Sequence, residues 1–141
     1  MQDFYNQAGV HFSRTRQKKY GSGSSNWVVT DQYLSRLKPS QSVLDLGCGN
    51  GKLVTGIPSG VDYLGTDFSE TLLKEARQLH PDHEFRYGDL LNPKDWKELS
   101  IYDAIFCVAV LHHIPKRENQ VYVLKEIKQH LKQEGFVFLT G

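Results

Sequence analysis

Apolar residues gather in five short runs, Ser42–Leu46, Tyr63–Thr66, Glu84–Tyr87, Asp103–Val108 and Phe136–Leu139, separated by longer stretches with another rhythm. Ser69–Leu79 sets Leu72, Leu73, Ala76 and Leu79 at helical spacing, and Glu118–Leu131 does the same with Val121, Leu124, Ile127 and Leu131. That period predicts two helices, each with one buried stripe. Ser69 has the chemistry of an N-cap for the first. Gly135 is expected to cap the second before the last strand. Strands alternating with helices predict an α/β fold, a Rossmann-like three-layer sandwich whose mostly parallel sheet carries helices on both faces. Gly21-Ser22-Gly23-Ser24-Ser25 has the composition of a flexible hinge.

The chain of 141 residues has room for one core. It divides into an N-terminal helical lid over 1–40 and a core domain over 41–141. No apolar run approaches the length of a membrane span, and the first residues lack the basic start and apolar stretch of a signal peptide. Cys48 and Cys107 lie in apolar runs without CxxC spacing, as free thiols in a reducing compartment do. A cytoplasmic location follows as an expectation. The net charge of +1 hides an asymmetry. Residues 1–40 carry six basic side chains (Arg14, Arg16, Lys18, Lys19, Arg36 and Lys38) against two acidic ones, a net +4, while the remainder is net −3. A basic arm on a slightly acidic body attracts phosphates.

Candidate chemistry begins at Val43-Leu44-Asp45-Leu46-Gly47-Cys48-Gly49-Asn50-Gly51. A buried strand there runs into three alternate glycines, where backbone must turn sharply and a ligand can approach without Cβ interference. The spacing is GxGxG rather than the GxGxxG of a dinucleotide site. Asp45, two residues before the first glycine, would repel a pyrophosphate but suits the ammonium and sulfonium of S-adenosylmethionine (SAM). Acids end the next two strands. Asp67 follows Asp45 by 22 residues, where a ribose-binding carboxylate belongs. Its two oxygens can accept from both ribose hydroxyls. Asp89, after Phe85-Arg86-Tyr87-Gly88, can accept from an adenine amino group. The donor site is therefore expected to comprise Asp45, Gly47, Cys48, Gly49, Asn50, Gly51, Asp67, Phe68, Asp89, Leu90 and Val108. No set of His, Cys and acidic residues has metal-site spacing, so no metal is expected.

With the glycine motif, the ribose acid, the Gly88-Asp89 pair and the segment Asp103–Ile114, residues 41–141 resemble the class I SAM-dependent methyltransferases. The opening Tyr5…His11-Phe12-Ser13-Arg14-Thr15-Arg16 and the later Ala109-Val110-Leu111-His112-His113 look like the members that esterify carboxymethyl-uridine at the tRNA wobble position. The resemblance implies SAM as methyl donor, S-adenosylhomocysteine as product, and tRNA as a partner met by the basic arm. It also implies strand order 3-2-1-4-5 in the five runs. Counterparts of the superfamily's sixth and seventh strands are lacking, so the fifth strand is expected to be an open edge for a protein partner or a missing segment.

His112 and His113 close the fourth-strand segment, where that superfamily places its transfer site. A neutral imidazole there can orient an acceptor or take a proton from a hydroxyl. A carboxylate acceptor is already ionised at neutral pH and needs no base, so catalysis of its methylation rests on approach and alignment. Arg14 and Arg16 suit bidentate contact with an acceptor oxyanion. Two other readings stand beside the tRNA enzyme: a methyltransferase of small hydroxyl, amine or carboxylate metabolites, and a non-catalytic SAM-binding module.

Overall fold

The computed structural model describes residues 10–13 and 24–140. In chain order these form β1 (Val10–Ser13), α1 (Ser24–Leu34), β2 (Ser42–Leu46), β3 (Asp62–Asp67), α2 (Glu70–Leu79), β4 (Glu84–Tyr87), α3 (Pro93–Lys97), β5 (Tyr102–Val108), α4 (Arg117–Gln129) and β6 (Leu131–Thr140), with 3-10 turns at Lys52–Gly56 and Leu111–His113. The strands make one sheet of order β1-β6-β5-β2-β3-β4. Every neighbouring pair is parallel. The five predicted runs are β2, β3, β4, β5 and the second half of β6, and they lie in the expected order.

Alternation along the strands sorts the core into two faces, as a period of two requires. Val43, Ala104, Phe106 and Phe138 meet Leu34 of α1 and Leu73 and Ala76 of α2. Leu44, Ile105, Val137 and Leu139 meet Trp96 of α3 and Val123, Leu124 and Ile127 of α4 on the other. Ser69 caps α2 as expected, its hydroxyl accepting from the Leu72 N–H at 3.2 Å. No helix among the described residues is long and apolar enough to cross a membrane.

Three expectations are corrected. The edge of β6 is not open: β1 pairs along it from Val10↔Val137 to Ser13↔Thr140 and takes up its free N–H and C=O groups. Within the segment expected to be a helical lid, Val10–Ser13 is thus a strand and Ser24–Leu34 a helix, which Ser24 and Ser25 of the supposed hinge open. Gly135 does not cap α4. His130 does, its N–H reaching the carbonyls of Glu126, Ile127 and Lys128. Gly135 stands inside β6, where a Cβ would come within 2.7 Å of the Asp103 carbonyl oxygen. The register jumps there, with Tyr102 facing Leu131 but Ala104 facing Phe136. The extra residues form a bulge, and the close backbone approach at Gly135 selects glycine.

Candidate functional site

Because every strand runs the same way, all the carboxyl ends meet at one edge, where open α/β sheets bind ligands. A cleft of about 630 Å³ lies there, bordered by the turns after β2, β3, β4 and β5. That volume suits a ligand of cofactor size.

The turn after β2 is left-handed at each glycine, with φ of +68° at Gly47, +57° at Gly49 and +91° at Gly51. Gly47 and Gly49 border the cleft. A Cβ built on Gly49 meets no atom within 4 Å, so this backbone faces open space. A Cβ on Gly47 would collide with the Val110 side chain, and one on Gly51 would approach the rings of His80 and Phe85. The three glycines therefore answer different demands. Gly49 opens the turn to a ligand, while Gly47 and Gly51 let other elements pack close.

Asp67, buried at the end of β3, ties the turn together. Its Oδ2 accepts from the Gly49 N–H at 2.8 Å and its Oδ1 from the Ser69 N–H at 2.9 Å. Each oxygen keeps a second lone pair for a hydroxyl donor. Asp89 is exposed after β4, its Oδ1 accepting from the Leu91 N–H at 2.9 Å in an Asx turn. Phe68, 75 % exposed at the cleft wall, offers with Leu72, Leu90 and Leu91 an apolar surface for a flat ring. Ala109 follows β5 at φ +58°, an unfavourable conformation for a residue with a Cβ. Its N–H donates to the buried Thr140 hydroxyl at 2.7 Å. Val110, His113, Ile114 and Pro115 complete that wall, and the His113 ring lies 3.9 Å from the His112 ring between centroids.

Gly47, Gly49, Asp67, Phe68, Asp89, Leu90 and His113, all picked out in the sequence, thus surround one cleft. Other candidates stand behind or beside it. Asp45 is buried, its Oδ2 accepting from the Tyr63 hydroxyl at 2.6 Å. Burial pushes its carboxyl up to about 7, and the charge of Asp67 adds to this while the Tyr63 hydrogen bond opposes it. Burial likewise raises the Tyr63 hydroxyl, so it remains a proton donor to Asp45. Cys48 is buried under the turn, and burial together with Asp45 and Asp67 drives its thiol far above the usual range. Cys107 is pushed up to about 12, mainly by burial. Neither thiol is a nucleophile at neutral pH. Asn50 points away to Glu75, with Nδ2 3.0 Å from Oε1. Gly51, Val108 and His112 do not border the cleft. Arg14 and Arg16 lie outside the described residues. Thr66, Ser69, Leu72, Gly88, Leu91, Ala109, Val110, Ile114 and Pro115 also line the cleft and were not chosen from the sequence. Six of these nine directly adjoin a candidate already chosen, and that adjacency was the available signal.

Fold and cleft together define a Rossmann-like α/β protein with a small-molecule site at the carboxyl edge of its sheet. The family described as "Methyltransferase domain" matches residues 44–137, and the chain belongs to it. It is 33% identical over 132 residues to the tRNA (carboxymethyluridine(34)-5-O)-methyltransferase of Saccharomyces cerevisiae, an alignment covering 93% of this chain and 43% of that protein. A relative from Arabidopsis thaliana with the same description is 30% identical over 96% of this chain and 31% of its own length. The chain therefore spans less than half the length of these relatives. Among solved structures, a TehB-like SAM-dependent methyltransferase from Corynebacterium glutamicum superposes with a TM-score of 0.65 at 22% identity, over 86% of this chain and 71% of the other. The plantazolicin methyltransferase BpumL gives 0.70 at 20%, over 98% and 50%. The fold is that of the SAM-dependent methyltransferases.

Proposed function

We propose that the chain binds SAM in this cleft and transfers its methyl group to the carboxylate of a carboxymethyl-uridine in tRNA. The observation that carries the donor assignment is the left-handed Gly49 backbone facing open space beside the Asp67 carboxylate. Bare backbone admits the amino-acid end of the donor, and Asp67 keeps lone pairs for its ribose hydroxyls. Asp89 takes the adenine amino group, and Phe68 and Leu90 flank the base. Asp45 acts from behind, fixing β2 against Tyr63 under the turn.

Bound SAM supplies an electrophilic methyl on a sulfonium, whose sulfur keeps the bonding electrons when the methyl moves to the acceptor oxygen. The protein has then to exclude water and align that oxygen. His113, on the β5 side of the cleft, is placed to orient the acceptor. The acceptor assignment rests on the likeness to the yeast tRNA enzyme. The net +4 of residues 1–40 supplies positive charge that suits an RNA acceptor.

The test is methyl transfer from labelled SAM to an anticodon stem-loop bearing 5-carboxymethyluridine, beside the same RNA with plain uridine and a set of small carboxylic acids. Base-labile label on the carboxymethyl RNA alone is expected. Label on small acids alone would replace the tRNA reading with a small-metabolite one. SAM binding without transfer to any acceptor would make this a binding module.

A further inference from the structure

We infer that Thr140, outside the cleft, is a positioning residue that holds the β5 wall in its ligand-competent form; this rests on the cleft being the SAM site. Four observations converge. Thr140 is buried at the end of β6, and its hydroxyl accepts from the Ala109 N–H at 2.7 Å. Ala109 stands at φ +58°, which a residue with a Cβ holds only when its surroundings demand it. The next residue, Val110, packs so closely on Gly47 that no Cβ fits between them. The Val110 carbonyl then accepts from the His113 N–H at 2.9 Å, setting the 3-10 turn that carries both histidines.

One hydroxyl thus fixes a strained peptide, and that peptide fixes both a neighbour of the glycine turn and the histidine at the cleft. Without the hydroxyl the Ala109 N–H loses its partner, and the chain gains by relaxing Ala109 toward negative φ. Relaxation swings Val110 off Gly47 and His113 off the wall. Thr140 touches no ligand in this account. It acts by keeping one of two backbone arrangements populated, and apparent affinity falls in proportion to the competent fraction.

The test compares Thr140→Val, which keeps the shape and removes the acceptor, with Thr140→Ser, which keeps the hydroxyl. Loss of one hydrogen bond with a stranded N–H should leave roughly a tenth of the molecules competent, so calorimetry should show about tenfold weaker SAM binding in Thr140→Val. Thr140→Ser should stay within about twofold of wild type. Adding Ala109→Gly to Thr140→Val should recover much of the loss, because glycine holds the left-handed conformation unaided. Amide exchange at Ala109 and Gly47 should quicken in Thr140→Val only. A merely structural Thr140 would lower the melting temperature yet leave SAM affinity and both amides unchanged well below it, and that result overturns the inference while wild type still binds SAM. A wild-type protein that does not bind SAM overturns this inference and the donor assignment together.

Discussion

Asp67 serves two masters, since the same carboxylate that remains open to a ligand also accepts from the N–H groups of Gly49 and Ser69. Asp67→Ala should therefore lose both the ligand contact and the brace on the turn. Charge-assisted hydrogen bonds of this kind contribute about 1.5–3 kcal/mol, which converts to roughly ten- to a hundredfold weaker SAM binding in a protein that still folds. Calorimetry on the purified variant reads this directly, and unchanged affinity would remove Asp67 from the site. Asp45 makes a different prediction. Burial lifts its carboxyl from an ordinary 3.8 to about 7. Between about pH 4 and pH 7 the folded chain holds a proton that the unfolded chain has released, so stability from this group is full below that window and is lost as pH rises through it. Asp45→Asn keeps an acceptor for the Tyr63 hydroxyl and cannot titrate. Melting temperatures followed from pH 4.5 to 7.5 should fall less steeply in the variant, and an identical slope would place the titration elsewhere.

At the scale of elements, the glycine turn separates folding from binding. Nothing lies within 4 Å of a Cβ on Gly49, so Gly49→Val meets only the left-handed strain, on the order of 1–2 kcal/mol, and its branched side chain then stands in the cleft. The expected variant is folded by circular dichroism and silent in SAM titrations. Near wild-type binding would mean that the turn does not face the donor. How legible each element was in the sequence follows from its length and burial. β2 to β5 announced themselves through runs such as Val43–Leu46 and Ala104–Cys107, buried on both faces of a parallel sheet. β1 did not, because four residues with His and Ser among them carry too little apolar pattern. α3 is five residues with only Trp96 buried, too short for a helical period to show. The first half of β6, Leu131–Gly135, is polar because it bulges from the sheet, and there Gly135 imitated a helix cap. In the site, acids and glycines were visible because few residues do their chemistry. Ala109 and Thr140 were not, since neither is unusual and only the fold joins positions 31 apart.

Across the whole molecule, charge is divided between an N-terminal segment of net +4 over residues 1–40 and a remainder of net −3. If tRNA is the acceptor, reversing Arg14, Arg16, Lys18 and Lys19 should weaken RNA binding and leave SAM affinity almost untouched. Every phosphate that the variant no longer neutralises should also flatten the plot of log affinity against log salt by about 0.7 to 0.9. Parallel salt lines for wild type and variant would locate the RNA-binding surface elsewhere. The pairing of β1 with β6 has a consequence in time. Val10 and Val137 are partners 127 residues apart. At synthesis rates of about 5–20 residues per second, the first strand emerges roughly 6 to 25 s before the one it must join. Throughout that interval β1 has no partner strand, and the sheet gains its β1–β6 pair only once β6 has been made. A ribosome stalled between the glycine turn and residue 137 therefore displays a chain in which the backbone of the turn has been made while the β1–β6 seam is still open.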